Sequence, residues 1–517
     1  MAYKGDTYQI PCDRGGLNHN VNIDLIPPEA IVHPSRNINA HEGGRRTRGG
    51  TSHVYGAALS GAGKITGIFD FRMEDGTQFI MCGTSDGKVF KNDTDTIKTG
   101  LTSDTFFSFA VMDDLLYIAN GYDIPLTWAG SGDASNMTNI PADWTGDNYP
   151  KQFVKHGKGN SERMWAFGFK DGTVYASQNG TGTQFSDTYV TTLPINTGDG
   201  YGIVGGFVFG DRLFAVGKAQ VYIIDDQDMD VANWGYDEAT WKGGAAHHRL
   251  IVRTPTDVHM MSEDMEIFSV ATAEQYGDYK AASLTRPAKI DIWMQQNINP
   301  AYINDFHGVW DSKLRAVKWF VVRNGQTQPD TALVFFIDRP LEEAWFVHDN
   351  DSYDSGYACY SSALVRKSTG VYKVYTGGKT GFVWELETSN ANDNGNGYTS
   401  LFRTANLNFG DPRSHKLFNS LRIVTQPAGE WNLGVNIWLD GESQAGRTIA
   451  LTTTGGVLDS FILDTDTLGG ATLTDAVLKL GMIGKRIQIE IYNAVADQEF
   501  FVSQVLIDFK KMGKRND

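Results

Sequence analysis

Hydrophobic and polar positions alternate in short bursts, most clearly from Gly205 to Ile224, GGFVFGDRLFAVGKAQVYII. Phe207 to Phe209 form one apolar run and Gly210-Asp211 turns the chain. Leu213 to Val216 runs back, Gly217-Lys218 turns again, and Val221 to Ile224 leaves. β-Branched and aromatic residues suit a pleated, half-buried strand, and glycine supplies the positive φ that tight turns need. The pattern predicts three strands joined by two turns.

Comparable triplets recur. Ile68 to Phe71, Gln78 to Cys82 and Lys88 to Phe90 form a first unit; Phe106 to Val111, Leu115 to Ala119 and Leu126 to Trp128 a second. Phe153-Val154, Met164 to Phe169 and Thr173 to Ala176 form a third, and the Gly205–Ile224 stretch is the fourth. Leu250 to Val252, Val258 to Met261 and Ile267 to Val270 make a fifth. Val309 to Val321, Leu333 to Ile337 and Trp345-Phe346 make a sixth; Ala363 to Val365, Val371 to Tyr375 and Phe382 to Leu386 a seventh. Over residues 65–387 this is roughly 46 residues per unit, near the ~40–50 of propeller blades. No helix-rich segment alternates with the strands, as a βαβ fold would require. One helix is expected after the fifth unit, started by Arg286-Pro287 with Ile290, Trp293 and Met294 on one face. The expected fold is all-β: a β-propeller of about seven blades, possibly six, since the sixth unit is stretched across Asn324 to Asp330.

The flanks read differently. Residues 1–64 carry little periodicity and predict an extended N-terminal arm. Within it, Glu42 to Thr51 (EGGRRTRGGT) is a basic knot in an acidic chain. Arg45, Arg46 and Arg48 are expected at a packing or subunit contact, because guanidinium forks suit bidentate carboxylates. Residues 388–397, TSNANDNGNG, read as a polar linker. Beyond them, Val435, Ile437 and Leu439 alternate, as do Ile487, Ile489 and Ile491, which suits a sheet with one buried face. Residues 398–517 are expected to form a separate C-terminal β-sandwich platform.

Composition narrows the function classes. Fifty-seven glycines against 15 prolines favour turn-dense β structure over disorder. Lys+Arg 45 against Asp+Glu 61 leaves a net charge of −16, which argues against holding nucleic acid by counter-ion release yet would let DNA pass without sticking. Cys12, Cys82 and Cys359 are too far apart for a zinc or redox motif and read as reduced thiols. The start, MAYKGDTYQIPC, lacks a signal-peptide apolar region, and no apolar run approaches the ~20 residues of a membrane helix. A soluble protein made in a cytoplasm is expected.

Candidate chemistry is thin. Ser60 to Ile65 (SGAGKI) resembles part of a phosphate-binding loop, but Ala58 stands at the first required glycine and Ile65 replaces the magnesium-binding hydroxyl. Asp226, Asp228 and Asp230 have the spacing of the first ligands of a calcium loop without its turn glycine. His247 and His248 are adjacent, so a strand would point them apart; His19, His33 and His41 lack chelating spacing. No GxSxG is present. A glycosidase carboxylate pair could be drawn from Asp264, Glu266, Asp305 and Asp311, although 61 carboxylates make such a choice uninformative. Trp128, Trp165, Trp310, Trp345 and Trp384 are expected to pack between blades. No catalytic residue, cofactor or metal is assigned.

The arm GGLN…LIPPEA…RNIN…EGGRRTRGGT resembles that of the tail nozzle proteins of short-tailed bacteriophages, the tail tubular protein B-like or packaged-DNA stabilisation proteins. Leu116 to Gly121 with Pro125 and Trp128, Phe209 to Leu213 with Val221-Tyr222, and Asp257-Val258 with Ser262 resemble interior units of that family. Phe402 to Thr404, Phe409 to Pro412 and Lys416 resemble its sandwich platform. Ser262 to Met265 departs from the pattern in lacking an Asp-Gly turn. The resemblance implies a non-enzymatic virion tail protein, made in the host cytoplasm. It would form a homo-oligomeric ring, typically a hexamer, below a tail adaptor ring, retaining packaged DNA and conducting it at ejection. Tail fibres, a needle or a spike would be further partners. Asp225 to Gly235 and Gly325 to Asp330 are candidate gate loops. Two other readings stand beside it: another tail protein that binds receptor or attaches fibres, and a propeller glycosidase or lyase.

Overall fold

A computed structural model of the chain describes residues 6–19, 23–59, 61, 63–93, 95–157, 161–228, 230–277, 282–350, 355–426, 429–451 and 474–512. Seven antiparallel sheets follow one another around a common axis, six of four strands and one of three. Their first strands are Ile65–Arg72, Ser108–Met112, Gln152–His156, Ile203–Phe209, Ile251–Arg253, His307–Asp311 and Cys359–Arg366. Each lies beside the next, Ile203–Phe209 reaching its neighbours through the short helical turn His248–Leu250, and the last returns to the first. The protein is therefore a seven-bladed propeller. Ile203–Phe209, Arg212–Gly217 and Gln220–Asp225, the three strands expected from the Gly205–Ile224 stretch, are the inner three of blade four.

Blade packing explains the near-continuous apolar runs. On Arg212–Gly217, Leu213 and Ala215 join the core shared with blade three, while Phe214 and Val216 join the core shared with blade five. Alternate side chains of a strand point to opposite faces, so both sets are buried. Burying such a side chain stabilises by roughly 1.5–3 kcal/mol. Trp128, Trp165, Trp345 and Trp384 are fully buried and Trp310 nearly so, in keeping with a packing role.

Several elements differ from expectation. Most blades add a short polar outer strand, such as Asp95–Lys98 or Ser135–Asn136, too exposed to show an apolar period. Val309 to Val321 is two strands, His307–Asp311 and Ala316–Val321, because the Asp311 carboxylate accepts from the Lys313 and Leu314 amides and turns the chain. Among the described residues blade five has three strands. A helix, Val270–Tyr276, follows its third; Ser269 caps it through the Thr272 amide and Gly277 closes it in the left-handed region. The expected helix is Asp291–Asn297, with Ile290, Trp293 and Met294 buried. Among the described residues no helix is long and apolar enough to cross a membrane.

The arm is not a free extension. Asp6–Pro11 pairs with Phe501–Lys511, Ile31–Arg36 pairs with Ser400–Thr404, and Ile38–His41 and Gly44–Thr47 form a hairpin on the end of Phe501–Lys511. These strands complete the two six-stranded sheets of the sandwich. Thr51–His53 then pairs with Val383–Leu386 as the outermost strand of blade seven, so the N-terminal segment closes the propeller ring. The sandwich is consequently not separate. One apolar core runs from Ile437, Ile489 and Phe402 between its sheets to Trp319 and Trp345 of blade six.

Residues 388–397, expected as a linker, pack at this junction instead. The Gly50 and Thr51 amides donate to the carbonyls of Asn390 and Asn392, and a Cβ on Gly50 would lie 1.8 Å from the Asn392 oxygen. Gly50→Ala must therefore displace the closing strand. It is expected to cost at least about 3 kcal/mol and to lower the first unfolding transition in a denaturant titration. Gly56→Ala, with no atom within 4 Å of the new methyl, is expected to leave that transition near wild type.

Candidate functional site

The three arginines of the basic knot occupy three environments. Arg46 is half-exposed and makes a bidentate pair with Glu499, at 2.7 and 2.8 Å. Arg45 is buried at 1% exposure: it donates to the carbonyls of Arg14, Gly15 and Glu29 and lies 5.3 Å from the Phe402 ring centre. Burial, with no carboxylate partner among these contacts, lowers its pKa. Arg48 is equally buried. Its five N–H donors meet Asn37 Oδ1, the Gly49 and Asp349 carbonyls and both oxygens of Asp393. Tyr357 and Tyr398 cover its two sides at 4.4 and 3.7 Å. Burial alone would lower the Arg48 pKa, but Asp393 and the tyrosines hold it above the ordinary value. Of the two contacts expected, packing or subunit, Arg45 and Arg48 make the first: each side chain is enclosed by its own chain and has no surface to offer a neighbour. Arg46 alone faces outward.

A second buried charge group adjoins Arg48. Lys318, fully buried in blade six, lies 3.0 Å from Asp311 Oδ2 and 2.9 Å from Glu387 Oε1. Glu387 also accepts from the Tyr357 hydroxyl and the Gly49 amide. Burial opposes the charge on Glu387, yet Lys318 and His348 pull its pKa well below the usual carboxylate range; burial pushes His348 down to about 3. Lys318 is held above the ordinary lysine value because its two carboxylates outweigh desolvation. Blade six, blade seven, the arm and the stretch to the sandwich thus meet on paired, desolvated charges. Asp311, weighed above as a hydrolytic carboxylate, belongs to this group.

A cavity of about 520 Å³ lies between blades three and four. His156 projects there from the end of Gln152–His156, its Nδ1 2.7 Å from Asp226 Oδ2 and its Nε2 3.3 Å from the Asp211 carbonyl. Burial lowers the His156 pKa but the bond to Asp226 outweighs it, leaving a net rise. Arg163 lies 4.9 Å from the ring centre of Trp234, and Trp234 stacks on Trp165. Of the gate loop proposed at Asp225 to Gly235, Asp226, Gln227, Asp228 and Trp234 line this cavity, and Met229 lies outside the described residues. Its acidic residues bond locally: Asp228 accepts from the Asp230 amide and Asn233, and Asp230 from the Ala232 amide. In the other candidate gate, Asp330 is pinned to Arg323 at 2.7 Å.

The remaining candidates disperse. Asp264 and Glu266 share a smaller cavity with Arg286, while Asp305 stands elsewhere, within electrostatic reach of Arg249 and Lys64. His33 stands against Trp293 and His41 against Phe501, and the His19 amide donates to the Lys289 carbonyl. Ser60 and Ala62 of the phosphate-loop-like stretch lie outside the described residues. Among the described residues no group of three or more His, Cys, Asp or Glu is placed to hold a metal ion. Sequence reasoning missed His156, Lys318 and Glu387, whose partners are 69 or 70 positions away.

No protein-family profile matches the chain, and no curated protein does. Among solved structures it is similar to BBS1N in complex with ARL6DN: 10% identity, 67% of this chain and 99% of that one, TM-score 0.41. It is also similar to the Pan2 WD40 domain of Neurospora crassa (10% identity, 66% and 96% covered, TM-score 0.37). YCF48 from Cyanidioschyzon merolae is a third (12% identity, 65% and 98% covered, TM-score 0.37). Likeness at this level says nothing of what the chain binds; the blades stand on their own strand pairing.

Removing Lys318 would strand two buried carboxylates. Lys318→Met is expected to cost about 3–5 kcal/mol, and adding Asp311→Asn and Glu387→Gln to recover part of it. The pH dependence has a definite sign. A depressed Glu387 pKa gives stability that is present above the usual carboxylate range and lost as pH falls through the folded value. Denaturant titrations from pH 7 to pH 3 are expected to show a smaller acid-dependent loss in Glu387→Gln than in the wild type.

Proposed function

We propose that this protein is a structural subunit of a bacteriophage tail, a nozzle ring that retains packaged DNA and conducts it during ejection. One observation carries the reading beyond the sequence resemblance. Three of the four arm segments that resemble the nozzle family, Gly15 to Asn18, Arg36 to Asn39 and Glu42 to Thr51, bind propeller and sandwich together. The Leu17 amide donates to the Trp345 carbonyl, the Asn37 amide to that of Val347, and Arg48 ties the arm to Asp393. Such fastening suits a load-bearing part, in which two domains must keep one orientation.

Two physical features support it. Propellers offer broad lateral surfaces, and heterologous contacts whose rotation closes make rings. A net charge of −16 reduces adhesion of a polyanion moving past the surface.

The purified protein, imaged by negative-stain electron microscopy across a concentration series, is expected to form closed rings of about six subunits around an axial hole. Dispersed monomers at every concentration, or trimeric spikes, would sink the nozzle reading. Glycan cleavage by a monomer would replace it with the enzyme reading.

A further inference from the structure

Residues at or just before several first strands meet at one mouth of the propeller: Arg249, ahead of blade five, touches Phe106 ahead of blade two and Tyr360 of blade seven, and Lys64, ahead of blade one, also reaches Tyr360. The residues at and just before those starts make an unusual set. Lys64 precedes blade one, Phe106 lies before blade two, Lys151 before blade three, Arg249 before blade five and Asp305 before blade six; Tyr360 is in the first strand of blade seven.

Arg249 crosses the axis. Its guanidinium carbon sits 3.4 Å from the Phe106 ring centre, on the far side of the ring of blades. Its Nη1 donates to the Tyr360 carbonyl at 3.3 Å and its Nη2 to the Asn304 carbonyl. One side chain from the start of blade five thus touches residues ahead of blade two, in blade seven and on the approach to blade six, so it spans this mouth. Only two of the five N–H donors of an arginine are used in these bonds. Lys64 Nζ stands 4.8 Å from the Tyr360 ring centre, and Lys64 and Lys151 are exposed on the rim. The Asp305 carboxylate lies within electrostatic reach of Arg249 and Lys64, and burial raises the Asp305 pKa. Beneath the rim, His307 is 97% buried with Nδ1 unpartnered, and both ring nitrogens of His248 lack partners. The mouth therefore gathers Lys64, Lys151 and Arg249, with Asp305 within reach of Arg249, in a chain whose total charge is −16.

We propose that this mouth is a docking site for an acidic peptide segment of a partner protein, with an Asp or Glu side chain descending to Arg249 between Lys64 and Lys151. Charge complementarity selects the carboxylate: the open donors are cationic, and charge-assisted hydrogen bonds to a carboxylate are the strong ones. Nucleic acid fits poorly. The guanidinium face that could stack on a base is already taken by Phe106, and three cations neutralise few phosphates while the rest of the surface repels them. This inference does not depend on the ring reading, since it concerns one subunit's own channel.

The test is fluorescence anisotropy at low salt with the full chain, using a fluorescein-labelled hexaglutamate peptide, the matching hexaglutamine peptide and a labelled duplex DNA. Hexaglutamate is expected to bind and hexaglutamine not. Lys64→Glu with Lys151→Glu, both at exposed positions, is expected to weaken hexaglutamate at least tenfold, as is Arg249→Gln once its thermal unfolding matches wild type. Lys479→Glu with Lys511→Glu, on exposed lysines of the sandwich strands Thr474–Gly484 and Phe501–Lys511, is expected to leave binding within twofold. Absence of hexaglutamate binding, equal loss in the two lysine double variants, or duplex DNA binding as tightly as the peptide would each overturn the proposal.

Discussion

The structure depends on a chain segment that serves two sheets systems at once. Residues 6–47 supply strands to both layers of the sandwich, and Thr51–His53 closes the propeller only a few positions later. Neither domain is complete without this arm, and the short stretch between the two roles leaves it no slack. Arg48 sits in that stretch. Its five donors bind the arm, blade six and the approach to the sandwich simultaneously, so the relative placement of the domains is written into the geometry of one guanidinium. An apolar side chain there could bury as much area but would tolerate sliding. A planar fork with five fixed acceptors tolerates little.

Buried charge is an expensive way to make such a joint. Desolvating Arg48, Lys318, Asp393, Glu387 and Asp311 costs several kcal/mol per ion, and their mutual attraction offsets this only when geometry and supporting hydrogen bonds are good. Here they are good: Lys318 lies between two carboxylates, and Glu387 collects a tyrosine hydroxyl and a backbone amide as well. Our hypothesis is that the network contributes orientation rather than net stability. Apolar burial between the blades and in the sandwich, one set of side chains per strand face, supplies the stabilisation.

What could be read in the sequence follows from this division. Blade cores are built from local alternation, so Gly205–Ile224 and its six counterparts were legible, as was the helix carrying Trp293 and Met294. The short outer strands were not, because Ser135–Asn136 and Asp95–Lys98 hold their places by pairing and carry almost no apolar signal. The closing strand was hidden for a different reason: Thr51–His53 pairs with residues more than 300 positions later. The basic knot was recognisable as a place where guanidinium forks meet carboxylates. Its partners were not, since Asp393 lies 345 positions from Arg48 in a stretch whose composition reads as linker. For the channel mouth a signal did exist. Lys64, Lys151 and Arg249 each stand within two residues of a blade's first strand, a recurrence visible only once the repeats are aligned with one another.

Arg249 also constrains how any assembly could conduct a polymer. A side chain from blade five that stacks on Phe106 lies across the mouth of the single propeller and narrows it. In the proposed nozzle, the passage for DNA then lies between neighbouring subunits, walled by outer blade edges or by the sandwich. The acid-rich surface of the chain is what such a wall would present, and the cation-rich mouth, withdrawn to each propeller's own axis, would be kept apart from the moving phosphates. The same chain can thereby repel one polyanion along its sides and recognise a short acidic segment at its ends, provided the two surfaces never face each other.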